Sequence, residues 1–377
     1  MMGLDRLLAE KRILICGGSG GVGKTTISAA LALKAAMAGR KVLVCTIDPA
    51  QRLADSLGLE NLGNAETDIT EEVVKATGNV LPGQLWAMML DSKRTFDALI
   101  ERIAPNSEVA GRVLGNQFYQ NVTTALAGSQ EFSAMEKLYE LDSRGDYDLI
   151  VLDTPPTRHA LDFIDAPGKL TAFLDARVIQ WFVKPYLAAE KVGFKFFNRS
   201  AKVLFRILEK GTGYQTLADI ADFFLVFEGM YDGFKMRAEK VRSLISSHDS
   251  AFVLVTSPQF PSLTEAKNFL ARMKSEDLAL GEIIFNRVYM TPGGLPGDRL
   301  RSIKEEAMSE FPGYSDVVET LCDNLRLFII LSEADQRAVD RFLEANALGG
   351  RGVRVPYLPR DVHDISGLAV VAGHIEG

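Results

Sequence analysis

The stretch that decides the fold is Arg12-Ile-Leu-Ile-Cys-Gly-Gly-Ser-Gly-Gly-Val-Gly-Lys-Thr-Thr26, an apolar run followed by a glycine cluster and a lysine. Residues 18–25 match G-x-x-x-x-G-K-[S/T] in full, between a predicted strand and a predicted helix. The glycines allow backbone N–H groups to surround phosphates, and the helix start adds partial positive charge. The sequence therefore predicts a phosphate-binding loop.

Each residue type in this loop has an expected task toward ATP. Lys24 is expected to reach the outer phosphates, and the hydroxyl of Thr25 to ligate Mg²⁺. The loop residues expected to bind ATP are Gly18, Ser19, Gly20, Gly21, Val22, Gly23, Lys24, Thr25 and Thr26. A glycine-rich turn without a ligand is the alternative, and the agreement of lysine, hydroxyl and context argues against it.

Outward from the loop, apolar runs alternate with helix-like segments. The predicted strands lie at 12–16, 41–47, 85–90, 148–152, 251–256, 282–285 and 353–357. Runs of Val, Ile and Leu without polar alternation are typical of strands buried on both faces. We therefore predict an α/β fold, a P-loop NTPase with a doubly wound, mainly parallel sheet.

Two long helical stretches interrupt this alternation, and we interpret them as one helical subdomain inserted into the sheet domain. They cover residues 104–140 and 169–248, and the second contains ten of the 21 Phe residues. The ATPase domain then comprises residues 1–103, 141–168 and 249–377. Phe more often fills a fixed core than an adaptable surface. The alternative interpretation, that these helices form a groove for an apolar client, is retained.

Two aspartates are predicted to end strands beside the loop. Asp48 follows the second strand and Asp153 follows the fourth. Ligands of doubly wound sheets bind at the carboxyl ends of strands, so both are candidate Mg²⁺ contacts together with Thr25. An aspartate after a strand can also cap a helix, an alternative that the neighbouring phosphate loop disfavours.

Composition and charge exclude several classes of protein. The 42 basic and 49 acidic residues give a net charge of −7, which argues against a nucleic-acid partner. The N-terminus lacks a secretory signal, and no apolar run reaches membrane-spanning length, so a cytoplasmic protein is expected. The three cysteines, Cys16, Cys45 and Cys322, form no CxxC pair, so reduced thiols and no zinc site are expected.

Taken together, the motifs resemble those of the ArsA-type ATPases, a family with a deviant Walker A loop. Residues 18–26 are similar to their loop G-K-G-G-V-G-K-[ST]-T, residues 48–55 to their switch I, and residues 153–161 to their switch II. Asn286 matches their adenine-reading asparagine, and residues 355–362 resemble the segment that closes over the base. The motifs keep the family's order along nearly the whole chain.

The resemblance implies Mg²⁺-dependent ATP hydrolysis by a face-to-face pair of ATPase units, which opens and closes with nucleotide state. Relatives include the arsenite-pump ATPase and the targeting ATPase for tail-anchored membrane proteins, so a hydrophobic or membrane-protein client is implied. Asp48 would orient the attacking water, with Lys24 as the second catalytic residue. Because the chain has one phosphate loop, it would pair with a second copy or with a related ATPase chain.

The resemblance also implies further site residues. The switch residues would be Arg52, Pro156, Thr157, Arg158 and His159. The base would lie against Asn286, Pro356 and Leu358.

Three departures from the family change these expectations. Ser19 occupies the position of a lysine that reaches the partner's phosphates, and serine has neither the length nor the charge for that task. Slow or rewired hydrolysis is therefore predicted, with Arg52, Arg158 or the lysine of a sister chain as substitutes. The missing CxxC pair excludes the zinc site that eukaryotic targeting ATPases share between subunits. The absence of cysteine from residues 169–248 argues against thiol-based activation by arsenite.

Other functions stay open at this stage. The chain fits a catalytically weak ATP-binding subunit or scaffold that works with a sister ATPase. A partition-type positioning ATPase is a second alternative, although residues 48–53 differ from the D-P-Q-G-N of that class. A small-molecule kinase is a third, but we find no arginine-rich lid.

Overall fold

The computed structural model describes residues 3–47, 51–125, 129–154, 214–291, 299–349 and 352–375. Within them, eight strands form a single sheet. They are β1 (Ile13–Gly17), β2 (Lys41–Thr46), β3 (Thr67–Asp68), β4 (Gln84–Met89), β5 (Leu149–Asp153), β6 (Ser250–Thr256), β7 (Leu280–Val288) and β8 (Val353–Pro356).

Helices connect these strands and cover both faces of the sheet. The first eight are α1 (Leu4–Glu10), α2 (Lys24–Met37), α3 (Arg52–Leu57), α4 (Thr70–Thr77), α5 (Ser92–Ile103), α6 (Ser107–Leu114), α7 (Gln117–Ala125) and α8 (Ser129–Arg144). The others are α9 (Tyr214–Glu228), α10 (Tyr231–Ile245), α11 (Phe260–Ser275), α12 (Leu300–Glu310), α13 (Ser315–Ala345) and α14 (Ile365–His374).

The strand order is β3-β4-β2-β5-β1-β6-β7-β8, with β1 between β5 and β6. Every neighbouring pair is parallel except β3–β4, which is antiparallel. All seven predicted strands are present, and the α/β fold with a mainly parallel sheet is confirmed. The sequence missed β3, because two exposed residues, Thr67 and Asp68, produce no apolar run.

The central strands are buried on both faces, as their unbroken apolar sequences predict. In β1, Leu14 and Cys16 pack into the layer formed with α1, α2 and α14. Ile13 and Ile15 pack into the opposite layer, formed with α8, α10, α11 and α13. Because alternate side chains serve the two layers, β1 and the loop that follows it are fixed by packing from both sides.

A third apolar cluster lies among α5, α6, α9 and α10, outside the two layers of the sheet. Four of the ten Phe residues in the second helical stretch are described, namely Phe223, Phe224, Phe227 and Phe234, and each is no more than 4% exposed. These four side chains belong to the hydrophobic core, which is the location that Phe favours. The other six fall within residues 155–213, outside the described residues, so the division into domains stays a prediction.

Helix α13 is long and packs against α12, the helix that precedes it in the chain. Its buried side chains include Val339 and Leu343 near the sheet and Val318 and Cys322 near α12. In the described parts of the chain, no helix combines the length and the apolar character that crossing a bilayer requires.

Candidate nucleotide site

The predicted phosphate-binding loop leads from β1 directly into α2. The strand ends at Gly17, the helix begins at Lys24, and Gly23 is the residue before the helix. The first backbone N–H groups of a helix have no partners within the helix and carry partial positive charge. The loop therefore presents N–H groups at the carboxyl edge of the sheet, where anionic ligands bind in such folds.

At two positions of the loop only glycine fits, because neighbouring atoms lie where a Cβ atom would be. A Cβ atom at Gly18 would lie 2.0 Å from the carbonyl oxygen of Val255 on the neighbouring strand β6. Gly23 has a φ of +87°, and a Cβ there would lie 2.4 Å from Nδ2 of Asn286. Any side chain at either position would displace the backbone of the loop or its neighbours.

Lys24 is 6% exposed, and its ammonium group is held inside the loop. Nζ donates hydrogen bonds of 2.9 Å to the carbonyl oxygen of Gly18 and 2.8 Å to that of Ser19. A buried ammonium needs such partners, because an uncompensated buried charge is costly. Lys24 also lines a cavity of about 330 Å³ with Thr25 and Thr26, so its charge is available to a ligand in that cavity.

Asp153 and Thr25 form a compact oxygen site at the start of α2. Thr25 Oγ1 donates a 2.7 Å hydrogen bond to Oδ2 of Asp153, and Thr46 Oγ1 donates one of 2.9 Å to the same oxygen. Asp153 is 1% exposed and adjoins Thr46 and Cys16 in the parallel register. Hydroxyl and carboxylate oxygens are the ligands that Mg²⁺ prefers, so this donor set fits that ion.

The cysteines near this site are buried and poor nucleophiles. Burial raises the pKa of both Cys16 and Cys45 to about 12. Cys322 is also buried, and none of the three forms a disulfide. They lie on β1, β2 and α13 respectively, so no two of them belong to one element.

A second cavity, of about 190 Å³, lies beside the first and is where the base was predicted to bind. Its lining includes Asn286, Pro356 and Leu358, so the structure brings these three predicted residues together. Asn286 Nδ2 donates a 2.9 Å hydrogen bond to the carbonyl oxygen of Val22, which joins this cavity to the phosphate loop. Their role in reading a base stays a prediction.

Sequence reasoning missed Arg287, which lines both cavities. Its Nη1 donates a 3.2 Å hydrogen bond to the carbonyl oxygen of Gly21. Sequence reasoning also missed Thr46, whose hydroxyl donates a hydrogen bond to Asp153. The one available signal was position, since Thr46 is near the end of a predicted strand and Arg287 directly follows Asn286.

The switch residues are described only in part. Arg52 begins α3 and lines the larger cavity together with Lys24. Asp48, Pro156, Thr157, Arg158 and His159 lie outside the described residues, so their predicted roles stay predictions. Within the described residues, no group of three or more His, Cys, Asp or Glu side chains is placed to hold a metal ion.

Comparison with known proteins adds independent information. A family model described as anion-transporting ATPase, the ArsA ATPase family, matches residues 11–294. The chain is 28% identical over 294 residues to the ATPase GET3 of Malassezia globosa, covering 77% of each chain. It is 24% identical to the putative arsenical pump-driving ATPase 1 of Aquifex aeolicus, covering 74% of this chain and 63% of that one. It is 31% identical to the putative arsenical pump-driving ATPase of Prosthecochloris vibrioformis over 46% of this chain.

Proposed function

The chain belongs to the anion-transporting (ArsA) ATPase family, and from that premise we propose that it is a Mg²⁺-dependent ATPase that works as a dimeric, nucleotide-driven switch. The observation that carries the proposal is the hydrogen bond of 2.7 Å between Thr25 and Asp153, directly beside the buried Lys24. A phosphate loop, a hydroxyl and a strand-end carboxylate are the parts from which P-loop enzymes build their metal–phosphate site.

Each of these residues has a defined task in the proposed reaction. Lys24 binds the outer phosphate oxygens, which compete with the carbonyls of Gly18 and Ser19 for its three N–H groups. Thr25 and Asp153 would hold the metal ion, which would neutralise charge on the phosphates. Asp48, outside the described residues, orients the attacking water. The N–H groups of the loop are preorganised, so they position the phosphates without any reorientation of their dipoles.

The hydrolysis proposal is tested by removing the charge of Lys24. Lys24→Met keeps most of the apolar volume and should reduce the steady-state rate of ATP hydrolysis at least ~100-fold, because a transferring phosphoryl group loses its main cation. Lys34→Met on the same helix is the matched control, since the ion pair of Lys34 is with Asp5, at 3.7 Å and away from the loop. Wild-type protein that fails to hydrolyse ATP with Mg²⁺ would contradict the proposal for this chain alone.

The dimer proposal is supported by the single phosphate loop of the chain, because the family resemblance implies ATPase units that work in pairs. Light scattering at micromolar protein should show a dimer that is favoured or compacted by ATP and Mg²⁺. A chain that stays monomeric with every nucleotide would contradict a homodimer and would favour pairing with a related chain.

We propose a hydrophobic or membrane-associated client rather than a metalloid recognised by thiols. Relatives are named GET3 and arsenical pump-driving ATPase, and the second name indicates arsenicals. All three cysteines are buried, and the pKa of Cys16 and Cys45 is about 12, so thiolate ligands for arsenic are not available in this structure. The four described Phe side chains of the second helical stretch, Phe223, Phe224, Phe227 and Phe234, are core, so they do not form the client surface.

The client proposal is tested with two probes. A leucine-rich helical peptide of membrane-spanning length should bind more tightly to one nucleotide state than to the other, as measured by fluorescence anisotropy. Arsenite should leave the rate of ATP hydrolysis unchanged. Stimulation by arsenite together with no binding of the peptide would overturn the proposed client.

Ser19 favours a second candidate function, an ATP-binding subunit that hydrolyses slowly unless a sister chain supplies a lysine. The side-chain hydroxyl of Ser19 is buried and has no hydrogen-bond partner among the described residues, and it carries no charge toward a phosphate. This candidate predicts normal ATP affinity with very slow turnover of the purified chain, and an increase in rate when the sister chain is added.

A further inference from the structure

The carboxyl end of β7 contains an irregularity that places Arg287 at the phosphate loop. Phe285 pairs with Arg354 of β8, and Val288 pairs with Pro356, so three steps along β7 oppose two along β8. Arg287 has a φ of +58°, a left-handed conformation that residues other than glycine adopt rarely. An extra residue in one strand of a pair is a β-bulge, and bulges often re-aim side chains beside functional sites.

The bulge directs two successive side chains at the same loop. In a regular strand, neighbouring side chains project from opposite faces of the sheet. Here Asn286 Nδ2 donates to the carbonyl oxygen of Val22 at 2.9 Å, and Arg287 Nη1 donates to that of Gly21 at 3.2 Å. Asn286 Oδ1 also accepts a 2.9 Å hydrogen bond from the backbone N–H of Arg287. The left-handed conformation is therefore held in place by a residue of the base cavity.

The guanidinium group of Arg287 keeps most of its hydrogen-bonding capacity. It has five N–H donors, and within the described residues the single hydrogen bond of its side chain is to a neutral carbonyl. Among the described residues, no carboxylate lies within 4 Å of it as an ion-pair partner. The side chain is exposed and lines both the cavity of Lys24 and the base cavity. A positive charge is thus placed between the two cavities, and no carboxylate of the described residues is close enough to form an ion pair with it.

We propose that Arg287 contacts the phosphate groups of the bound nucleotide and supplies the second positive charge that Ser19 cannot supply. A phosphate offers the guanidinium a charged, two-oxygen partner, which is stronger than the single neutral carbonyl of Gly21. The side chain needs to give up only that one hydrogen bond to reach a ligand in the cavity of Lys24. This inference rests on the proposed function, because it assumes that the loop binds a nucleotide.

The test uses two substitutions that respect the backbone of the bulge. Asn tolerates the left-handed conformation better than most residues, so Arg287→Asn removes the charge with little added strain. Arg287→Lys keeps the positive charge but loses the planar pair of N–H donors that a guanidinium offers to two oxygens. Arg341→Asn on α13 is the matched control, because Arg341 is exposed and its Nε donates a 3.1 Å hydrogen bond to the carbonyl oxygen of Arg337 on the same helix.

Equilibrium binding of ATP and of inorganic tripolyphosphate is measured by competition against a fluorescent nucleotide. Arg287→Asn should weaken both ligands about 10- to 100-fold, the usual effect of losing a charge-assisted hydrogen bond. Arg287→Lys should recover part of the loss, and Ser19→Lys combined with Arg287→Asn should also recover part of it. Arg341→Asn should match the wild type, and thermal unfolding without nucleotide should be unchanged in Arg287→Asn.

The outcomes separate this inference from the proposed function. If Arg287→Asn binds ATP as tightly as the wild type, Arg287 does not contact phosphate. If it weakens ATP but not tripolyphosphate, Arg287 acts on the base, and the inference is equally overturned. Wild-type protein that binds neither ligand would instead contradict the proposed function itself.

Discussion

The hydroxyl of Thr25 donates a hydrogen bond of 2.7 Å to Oδ2 of Asp153, which joins the first turn of α2 to the end of β5. The two residues meet because β1, which leads into the phosphate loop, is paired in parallel with β5, so that Cys16 lies beside Asp153. Thr46 on the other neighbouring strand bonds to the same carboxylate oxygen. The carboxylate is therefore oriented by three elements before any metal ion binds, which lowers the cost of forming the site.

Replacing Asp153 tests this arrangement directly. Asp153→Asn keeps the shape of the side chain but removes the negative charge that attracts Mg²⁺. We expect the Mg²⁺-dependent rate constant kcat to fall at least ~100-fold, because the ion that neutralises the phosphates is held less well. ATP affinity measured in EDTA should change little. Steady-state kinetics over a range of Mg²⁺ concentrations, with equilibrium binding in EDTA, provide both measurements.

Asp142→Asn is the control for this substitution. Asp142 pairs with Arg12 at 3.2 Å near the amino end of β1, at the opposite edge of the sheet. A partly exposed ion pair of this kind contributes little, so kcat and its Mg²⁺ dependence should match the wild type. An Asp153→Asn variant with the same Mg²⁺ dependence as the Asp142→Asn variant would show that Asp153 does not hold the ion.

The contrast between Thr25 and Arg287 shows what sequence could and could not predict. Thr25 belongs to a contiguous motif, and the strands were found because continuous apolar runs are local signals. Arg287 reaches the phosphate loop through a bulge between β7 and β8, which depends on the pairing of distant segments. Thr46 meets Asp153 for the same kind of reason, through the register of β2 with β5. Contacts that arise from strand register therefore could not be predicted from the sequence and are shown only by the structure of the sheet.

Glu66 should make stability depend on pH in a defined direction. Burial alone would raise the pKa of Glu66, but hydrogen bonds from Arg144 and Tyr147 outweigh it and lower that pKa below its ordinary value of 4.5. Because the unfolded chain then binds more protons, the contribution of Glu66 is full above pH 4.5 and is lost as pH falls below it. Glu66→Gln should lower the free energy of unfolding by about 1 kcal/mol at neutral pH, since Arg144 is partly exposed.

Urea unfolding of wild type and Glu66→Gln at several pH values between 7 and 4 checks this prediction. The difference between the two proteins should be constant down to about pH 5 and should shrink below it, as the folded carboxyl takes up its proton. Glu71→Gln is the matched control, because the Glu71–Lys75 pair is largely exposed and should contribute almost nothing. A difference between wild type and Glu66→Gln that grows as the pH falls would contradict the assignment.

Asp48 is predicted to orient the attacking water, a role that comes from the family resemblance of residues 48–55. Asp48→Asn should abolish measurable ATP hydrolysis while leaving ATP affinity within about threefold of the wild type, because the carboxylate acts on water rather than on the nucleotide. Single-turnover hydrolysis and equilibrium binding separate the two effects. Asp5→Asn, at an exposed position on α1, should behave as the wild type in both. Turnover at the parent rate would mean that another residue orients the water.

Ser19→Lys should accelerate hydrolysis, because it returns a cation to a loop whose position 19 is neutral. We expect kcat to rise at least ~10-fold, since a positive charge near the transferring phosphoryl group stabilises the transition state more than the ground state. Ser19→Met has a similar length without the charge and should leave kcat near the wild-type value, which separates charge from volume. If the lysine acts across a dimer, the increase should appear only at protein concentrations at which light scattering detects the dimer. Equal rates for Ser19→Lys and Ser19→Met would show that the missing charge does not limit this enzyme.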